Sequence, residues 1–194
     1  MAGAKGYNRE DLLDRSIELF RRQGYAGTST AELVEELGVN RKSMYAEFGS
    51  KQELFEATLE RYSDVNLTRV LAPIEDPKAD ADSIRRAFTG YASASEGRFA
   101  GLGCLMANTA VERAALDPGS ARFVDAYFER LTKGFGRALK NTRDAGALRS
   151  EVNIDDLTAH YVMAIVGISA MIRAKASPDQ VHAASRAAVS LLDR

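Results

Sequence analysis

Residues 29–48 read STAELVEELGVNRKSMYAEF. Ser29 and Glu32 stand at capping-box spacing, so a helix opens there and runs through Leu33, Val34 and Leu37. Gly38 stops it, and Asn40 is a good N-cap for a second short helix from Arg41 to about Phe48. Two short helices about the tight turn Gly38-Val39-Asn40 make a helix-turn-helix, with glycine where the chain must take a positive φ. Leu33, Leu37, Val39, Met44 and Phe48 are placed to pin the pair together and to a preceding helix. The second helix then offers its first turn, Arg41, Lys42 and Ser43, outward. Recognition helices meet base edges with that turn. Arg and Lys donate to guanine O6 and N7, and Ser serves any edge.

Upstream, residues 1–7 read as a loose arm. A helix follows from Asn8 to Gln23, with Leu12, Leu13, Ile17 and Phe20 on one stripe and Gly24 as its stop. Downstream, Ser50 and Glu53 open a longer helix through Leu54, Phe55, Leu59 and Tyr62, ended by Pro73 and Pro77. Further helices are predicted from about Ser83 to Gly97 and from about Leu102 to Ala115. A long one begins at Asp117-Pro118, another at Asn153 with acidic Asp155 and Asp156, and a last one at Ser177-Pro178. With few alternating β-branched runs, the reading is all-α with about nine helices. An N-terminal three-helix domain, residues 1–50, is joined through the fourth helix to a helical domain, residues 51–194.

Charge has to be read by position. The chain's net charge is −1, and residues 1–62 hold nine Lys/Arg against eleven Asp/Glu, so bulk electrostatics do not favour nucleic acid. Between Gly38 and Lys51, however, three cations face one anion, Glu47, and the acidic residues of the first two helices are placed to face away.

The run from Gly24 to Phe55 resembles the DNA-binding domain of the TetR (tetracycline-repressor) family. The resemblance is carried by the Leu-Gly-Val turn, the Tyr-x-x-Phe at 45–48 and Ser-Lys-Gln-Glu-Leu-Phe at 50–55, and extends over roughly residues 8–62. It implies that Thr28 and Tyr45 contact phosphate, that Lys51 grips a phosphate at the start of the fourth helix, and that Arg41, Lys42 and Ser43 read bases. Glu47 departs from the near-neutral residue common in the family at that place. The function implied is a homodimeric, ligand-responsive transcriptional regulator, most simply a repressor on palindromic operator DNA, released by a small apolar or electrophilic effector. The competing reading is a helical adaptor that reuses the fold without specific DNA binding.

From His160 to Ile172 no Asp, Glu, Lys or Arg occurs, so that helix needs cover on nearly all sides. A symmetric four-helix interface between two chains provides it, drawing on Ala164, Gly167, Ile168 and Met171 of this helix and on Val181, Ala184, Ala188 and Leu192 of the last. The alternative is a monomer with this helix at its centre. Phe88, Tyr91, Leu102, Cys104, Asn108, Phe123, Tyr127 and Tyr161 suit an effector pocket, although a helical domain needs such residues for its core as well. Cys104 falls in the first turn of the sixth helix, where the dipole favours a thiolate. Its Gly-Cys-Leu setting resembles that of family members that sense electrophiles; the other reading is a packed small hydrophobe.

No phosphate loop, nucleophile triad or paired carboxylates stand in motif context, so an enzyme is not expected. No cofactor or metal is expected either, since His160 and His182 lack ligand spacing. The absence of a long apolar stretch or signal sequence, with a single cysteine, fits a cytoplasmic protein and no membrane partner.

Overall fold

A computed structural model describes residues 7–193; the expected N-terminal arm lies largely outside the described residues. Among these residues the secondary structure is helical, without strands. Helix α1 (Arg9–Gly27) is N-capped by Asn8, whose side chain accepts the N–H of Glu10 at 2.9 Å. Leu12, Leu13, Ile17 and Phe20 are buried along it. Gly24, at φ 78°, bends the rod where the glycine predicted a stop, and one further turn follows. Helix α2 (Thr30–Leu37) starts on a complete capping box: Ser29 Oγ accepts the N–H of Glu32, and the Glu32 carboxylate accepts the N–H of Ser29 at 2.7 Å. Gly38, at φ 65°, turns the chain into α3 (Arg41–Phe48), capped by Asn40 on the N–H of Ser43 at 2.8 Å.

Helix α4 (Lys51–Arg61) is capped by Ser50. It widens into a π-turn over Tyr62–Leu67 and runs on as α5 (Thr68–Glu75), so α4 and α5 form one rod. Helices α6 (Ala81–Ser93), α7 (Leu105–Glu112), α8 (Pro118–Asp144), α9 (Ile154–Arg173) and α10 (Pro178–Val189) complete the bundle. Counting α4 and α5 once gives nine rods among the described residues, the number expected. The Asp117-Pro118, Asn153 and Ser177 starts fall where the capping chemistry placed them. Helix α7 does not. Gly101 and Gly103 both take positive φ, 75° and 64°, so the helix begins only after Cys104, which is its N-cap.

The core runs without a break from the first helices into the bundle. Phe20, Tyr25 and Phe55 cluster between α1 and α4, with Phe20–Phe55 centroids 4.8 Å apart. Phe88, Phe135 and Tyr161 form a second cluster at 5.5–5.9 Å. Helix α9 packs on α6, α7, α8 and α10, and buries Leu157, Tyr161, Ile165, Ile168 and Ile172. The residues expected at a dimer interface divide by burial. Ile168, Val181, Ala188 and Leu192 are buried within the chain's own core, because the bundle takes that side of α9 and α10 for itself. Gly167 is exposed, and Ala164, Met171 and Ala184 are half-buried. The face of α9 left open carries Ala159, Met163, Gly167 and Ala170, with Met163 64% exposed. No described helix is long and apolar enough to cross a membrane.

Candidate nucleic-acid interface and internal cavity

Leu33, Leu37, Met44 and Phe48 are buried between α2, α3 and the first helix, which fixes α3 with its first turn toward solvent. Arg41 and Lys42 are exposed and Ser43 half-exposed. Neither cation makes an ion pair with a described residue. The Arg41 guanidinium lies 5.5 Å from the Tyr45 ring centroid. Tyr45 is half-buried, with its hydroxyl 3.4 Å from Thr30 Oγ1; that contact first, and then Arg41, lowers its phenol below the ordinary range. Glu47, the anion of this helix, is turned back toward α1. Arg9 reaches it at 3.4 Å, and the Tyr7 hydroxyl donates to it at 3.2 Å. Three acids of α1 and α2 are paired elsewhere: Glu10 and Asp14 with Arg61 at 3.1 and 3.0 Å, and Glu36 with Arg22 at 3.0 Å, while exposed Asp11 lines a cleft beside Asn40 and Ser43. The exposed first turn of α3 is therefore positive although the domain around it is not.

Two residues expected at the phosphate backbone are otherwise engaged. Thr28 is 1% exposed and donates its hydroxyl to the Gly24 carbonyl at 2.6 Å, so this side chain closes the α1 turn and presents nothing to a phosphate. Lys51 Nζ donates to the Tyr25 carbonyl at 2.6 Å and sits 4.2 Å from that ring's centroid. Burial, then Arg113, lowers its ammonium pKa below the usual lysine range. In this conformation Lys51 ties α4 to the end of α1.

The residues proposed for a pocket separate into three groups. Phe88, Tyr127 and Tyr161 are fully buried and form core. Leu102 and Phe123 are half-buried outside the internal cavity, and Asn108, which donates to the Leu102 carbonyl at 3.0 Å, lines a separate cleft of about 370 Å³ between α1, α7 and α9. Tyr91 and Cys104 alone of the set line a cavity of about 80 Å³ between α1, the π-turn, α6, the segment before α7, and α9. Cys104 is 5% exposed, and Tyr62 donates its hydroxyl toward the sulfur at 3.6 Å. Burial, then the neighbouring Cys104 sulfur, pushes the Tyr62 and Tyr91 phenols well above their ordinary value, so both stay neutral hydroxyls.

Arg21 is the residue the sequence reading passed over. It lines the same cavity, 7% exposed, with Nε and Nη2 both donating to the Gly103 carbonyl. Its position four residues after Ile17, on the buried side of α1, was the available signal. Among the described residues no group of three or more metal-ligating side chains comes together.

Comparison with known proteins agrees with this geometry. The family model for bacterial regulatory proteins of the tetR family matches residues 12–58, and the model for the tetracyclin repressor-like C-terminal domain matches residues 81–188. The chain is 27% identical, over the full length of both proteins, to the uncharacterized HTH-type transcriptional regulator YezE of Bacillus subtilis. It is 26% identical to the HTH-type transcriptional repressor DhaR of Mycobacterium sp. (strain GP1), over 80% of this chain and 77% of that one. The fold superposes on the TetR family regulator CifR, solved with a 26-bp double-strand operator DNA, with a TM-score of 0.84 at 20% identity, covering 96% of this chain and 97% of that one. A TetR regulator from Chloroflexus aurantiacus also gives 0.84, at 22% identity over 96% and 94% of the two chains. With one model over the reading helices and a second over more than half the chain, this protein belongs to the TetR family of transcriptional regulators, which carry a DNA-binding helix-turn-helix and are not enzymes.

Proposed function

We propose that the chain is a cytoplasmic homodimeric repressor that binds a palindromic operator and is released by a small effector with an apolar body. Residues 1–50 act as the reading head and residues 51–194 as the sensing and dimerising part. The observation that carries this reading is the exposed, acid-free first turn of α3, where Arg41 and Lys42 stand without ion-pair partners among the described residues while Glu47 is held by Arg9 and Tyr7. Two such turns, set one DNA helical turn apart by a dimer, enter successive major grooves. The open face of α9 supports the dimer: Met163 and Gly167 are apolar and uncovered, and Phe128, Val162 and Val166 line the adjoining groove. An effector that changes the bundle between α1 and α7 changes how the reading head is held.

The test is a gel shift with the DNA upstream of the gene itself. Wild-type protein is expected to retard it specifically. Replacing Arg41 and Lys42 together by alanine should relax base preference in each half-site by about 1–3 kcal/mol per lost bidentate contact. A folded double variant that binds the same operator as tightly and selectively as wild type would refute the assignment of α3 as the reading helix.

A further inference from the structure

Arginines 61, 113 and 130 each lie against a carboxylate, at 3.0, 3.4 and 2.6 Å. Arg21 is more deeply buried than any of them and has no carboxylate partner among the described residues. Among the described residues its charge is met by the neutral Gly103 carbonyl and by two ring faces, Tyr62 at 5.8 Å and Phe99 at 5.5 Å. Nη1 makes no hydrogen bond with a described residue and keeps some contact with solvent. Buried cations are ordinarily paired, because a lone one forfeits its hydration without an anion to replace it. The cavity beside Arg21 has no Asp or Glu in its wall, and its second cation, Arg69, is exposed and so stands at the opening. The remaining wall is largely apolar, with Leu67, Val70 and Ile172.

We propose that this cavity binds a compact monocarboxylate, with the carboxylate on the Arg21 guanidinium and a short apolar chain against Leu67, Val70 and Ile172. The planar guanidinium fork matches a carboxylate bidentately, and a charge-assisted pair is stronger than the bond to a neutral carbonyl. Tyr62 and Tyr91, held as neutral phenols, repel no anion. Size limits the chain. A cavity of about 150 Å³ admits benzene, and this one is about 80 Å³.

The inference rests on the reading of the protein as an effector-released repressor and assigns that effector its chemistry. Arg21 stands on α1, which begins the reading head, and its bond to Gly103 spans 82 residues of sequence into the segment before α7. A carboxylate competes with Gly103 for the same donors, so its binding loosens a tie between the two parts of the chain.

The experiment uses the full-length protein and sodium salts from acetate to octanoate, with propanamide and butanamide as neutral partners and inorganic phosphate as a second anion. Calorimetry and thermal melting read binding. Protection of Cys104 from methyl methanethiosulfonate locates it, because that sulfur lines the cavity. Affinity is expected to peak at roughly two to three carbons, to exceed that of the matched amide at least tenfold, and to come with slower Cys104 labelling. Arg69→Gln, at an exposed position, should weaken carboxylate binding several-fold, and Arg21→Gln, if it melts cooperatively, should abolish the preference over the amide. Equal binding of acid and amide, phosphate binding as tight as propanoate, or no carboxylate binding with unprotected Cys104 overturns the site. Gel shifts are run separately without ligand, so failure of the repressor reading shows as absent operator binding whatever the calorimetry gives. Arg21-dependent binding that leaves operator affinity unchanged upholds the site and overturns the release step.

Discussion

Glu112, at the end of α7, accepts the backbone N–H of Ala26 at 2.8 Å, across 86 residues of sequence. Its other carboxylate oxygen takes the N–H of Tyr25 at 3.2 Å, and Arg113 beside it lies 3.7 Å from the Tyr25 ring centroid. The bend of α1 after Gly24 leaves those amides without helical partners, and α7 supplies the acceptors. With Arg21 on Gly103 and Lys51 on Tyr25, the end of α1 is held from three sides.

Glu112→Ala removes both acceptors from an exposed site, where water takes their place. A loss of about 1 kcal/mol is expected, read as a fall of about 2–4 °C in melting temperature for a chain of this size. Operator affinity should change as well, although Glu112 is on α7, because the orientation of α2 and α3 depends on the end of α1. Gel shifts on the purified variant check this; unchanged affinity would show that the latch serves stability alone.

The dimer is tested at Gly167. A Cβ built there meets nothing within 4 Å inside the chain, so Gly167→Glu leaves the protomer's packing intact and places a carboxylate on the proposed interface. Sedimentation should show the variant as a folded monomer at concentrations where wild type is dimeric, with specific DNA binding lost. A wild-type monomer at micromolar concentration, or a Gly167→Glu dimer, removes this face as the interface.

Two glycines of α8 should respond oppositely to alanine. At Gly134 a Cβ would come within 3.0 Å of the Ile74 side chain and 3.2 Å of its carbonyl oxygen, where α5 crosses close. Overpacking of about 1–3 kcal/mol outweighs the roughly 1 kcal/mol helix-propensity gain, so Gly134→Ala should destabilise. At Gly136 the nearest atom is Thr158 Oγ1 at 3.7 Å, and Gly136→Ala should stabilise by up to about 1 kcal/mol. Urea denaturation of the two variants settles the order.

Acid should weaken the start of α8. Hydrogen bonds from Ser120 first, and then from Gln52, hold Asp117 below its ordinary value of 3.8, with Arg113 adding charge. A carboxyl depressed in the folded state contributes stability above its unfolded pKa, and that stability is lost as pH falls from about 3.8 through the lower folded value. Asp117→Asn should be less stable than wild type at neutral pH and lose less on acidification below pH 4. Unfolding free energies measured from pH 6 downward check the sign.

Where capping chemistry is local, the sequence announced the structure: Ser29 with Glu32, Asn40, Asp117 and Ser177 each open a helix where expected. The start of α7 was misread because the Gly101-Leu102-Gly103 stretch looks apolar and helical until both glycines take positive φ. The side of α9 that faces its own core was not legible, since Ile168 and Gly167 are adjacent in an uncharged run and only the neighbouring helices decide which of them is covered. The roles of Thr28 and Lys51 come from resemblance, and the sequence alone does not show their local bonds to Gly24 and Tyr25. Arg21 carries no motif; its importance arises only when Gly103 and the cavity are brought to it.

The π-turn over Tyr62–Leu67 has a consequence for insertions and deletions. Removing one residue from an ordinary helix rotates everything after it by about 100° and exposes its buried side. A π-turn already holds a surplus residue. Deleting exposed Asp64 lets the turn tighten to α-helical winding while Leu71 and Ile74 keep their phase toward the core. The rod can therefore be shortened at this turn and its far end left in register, whereas the same deletion in α4 would turn α5 away from α6 and α8.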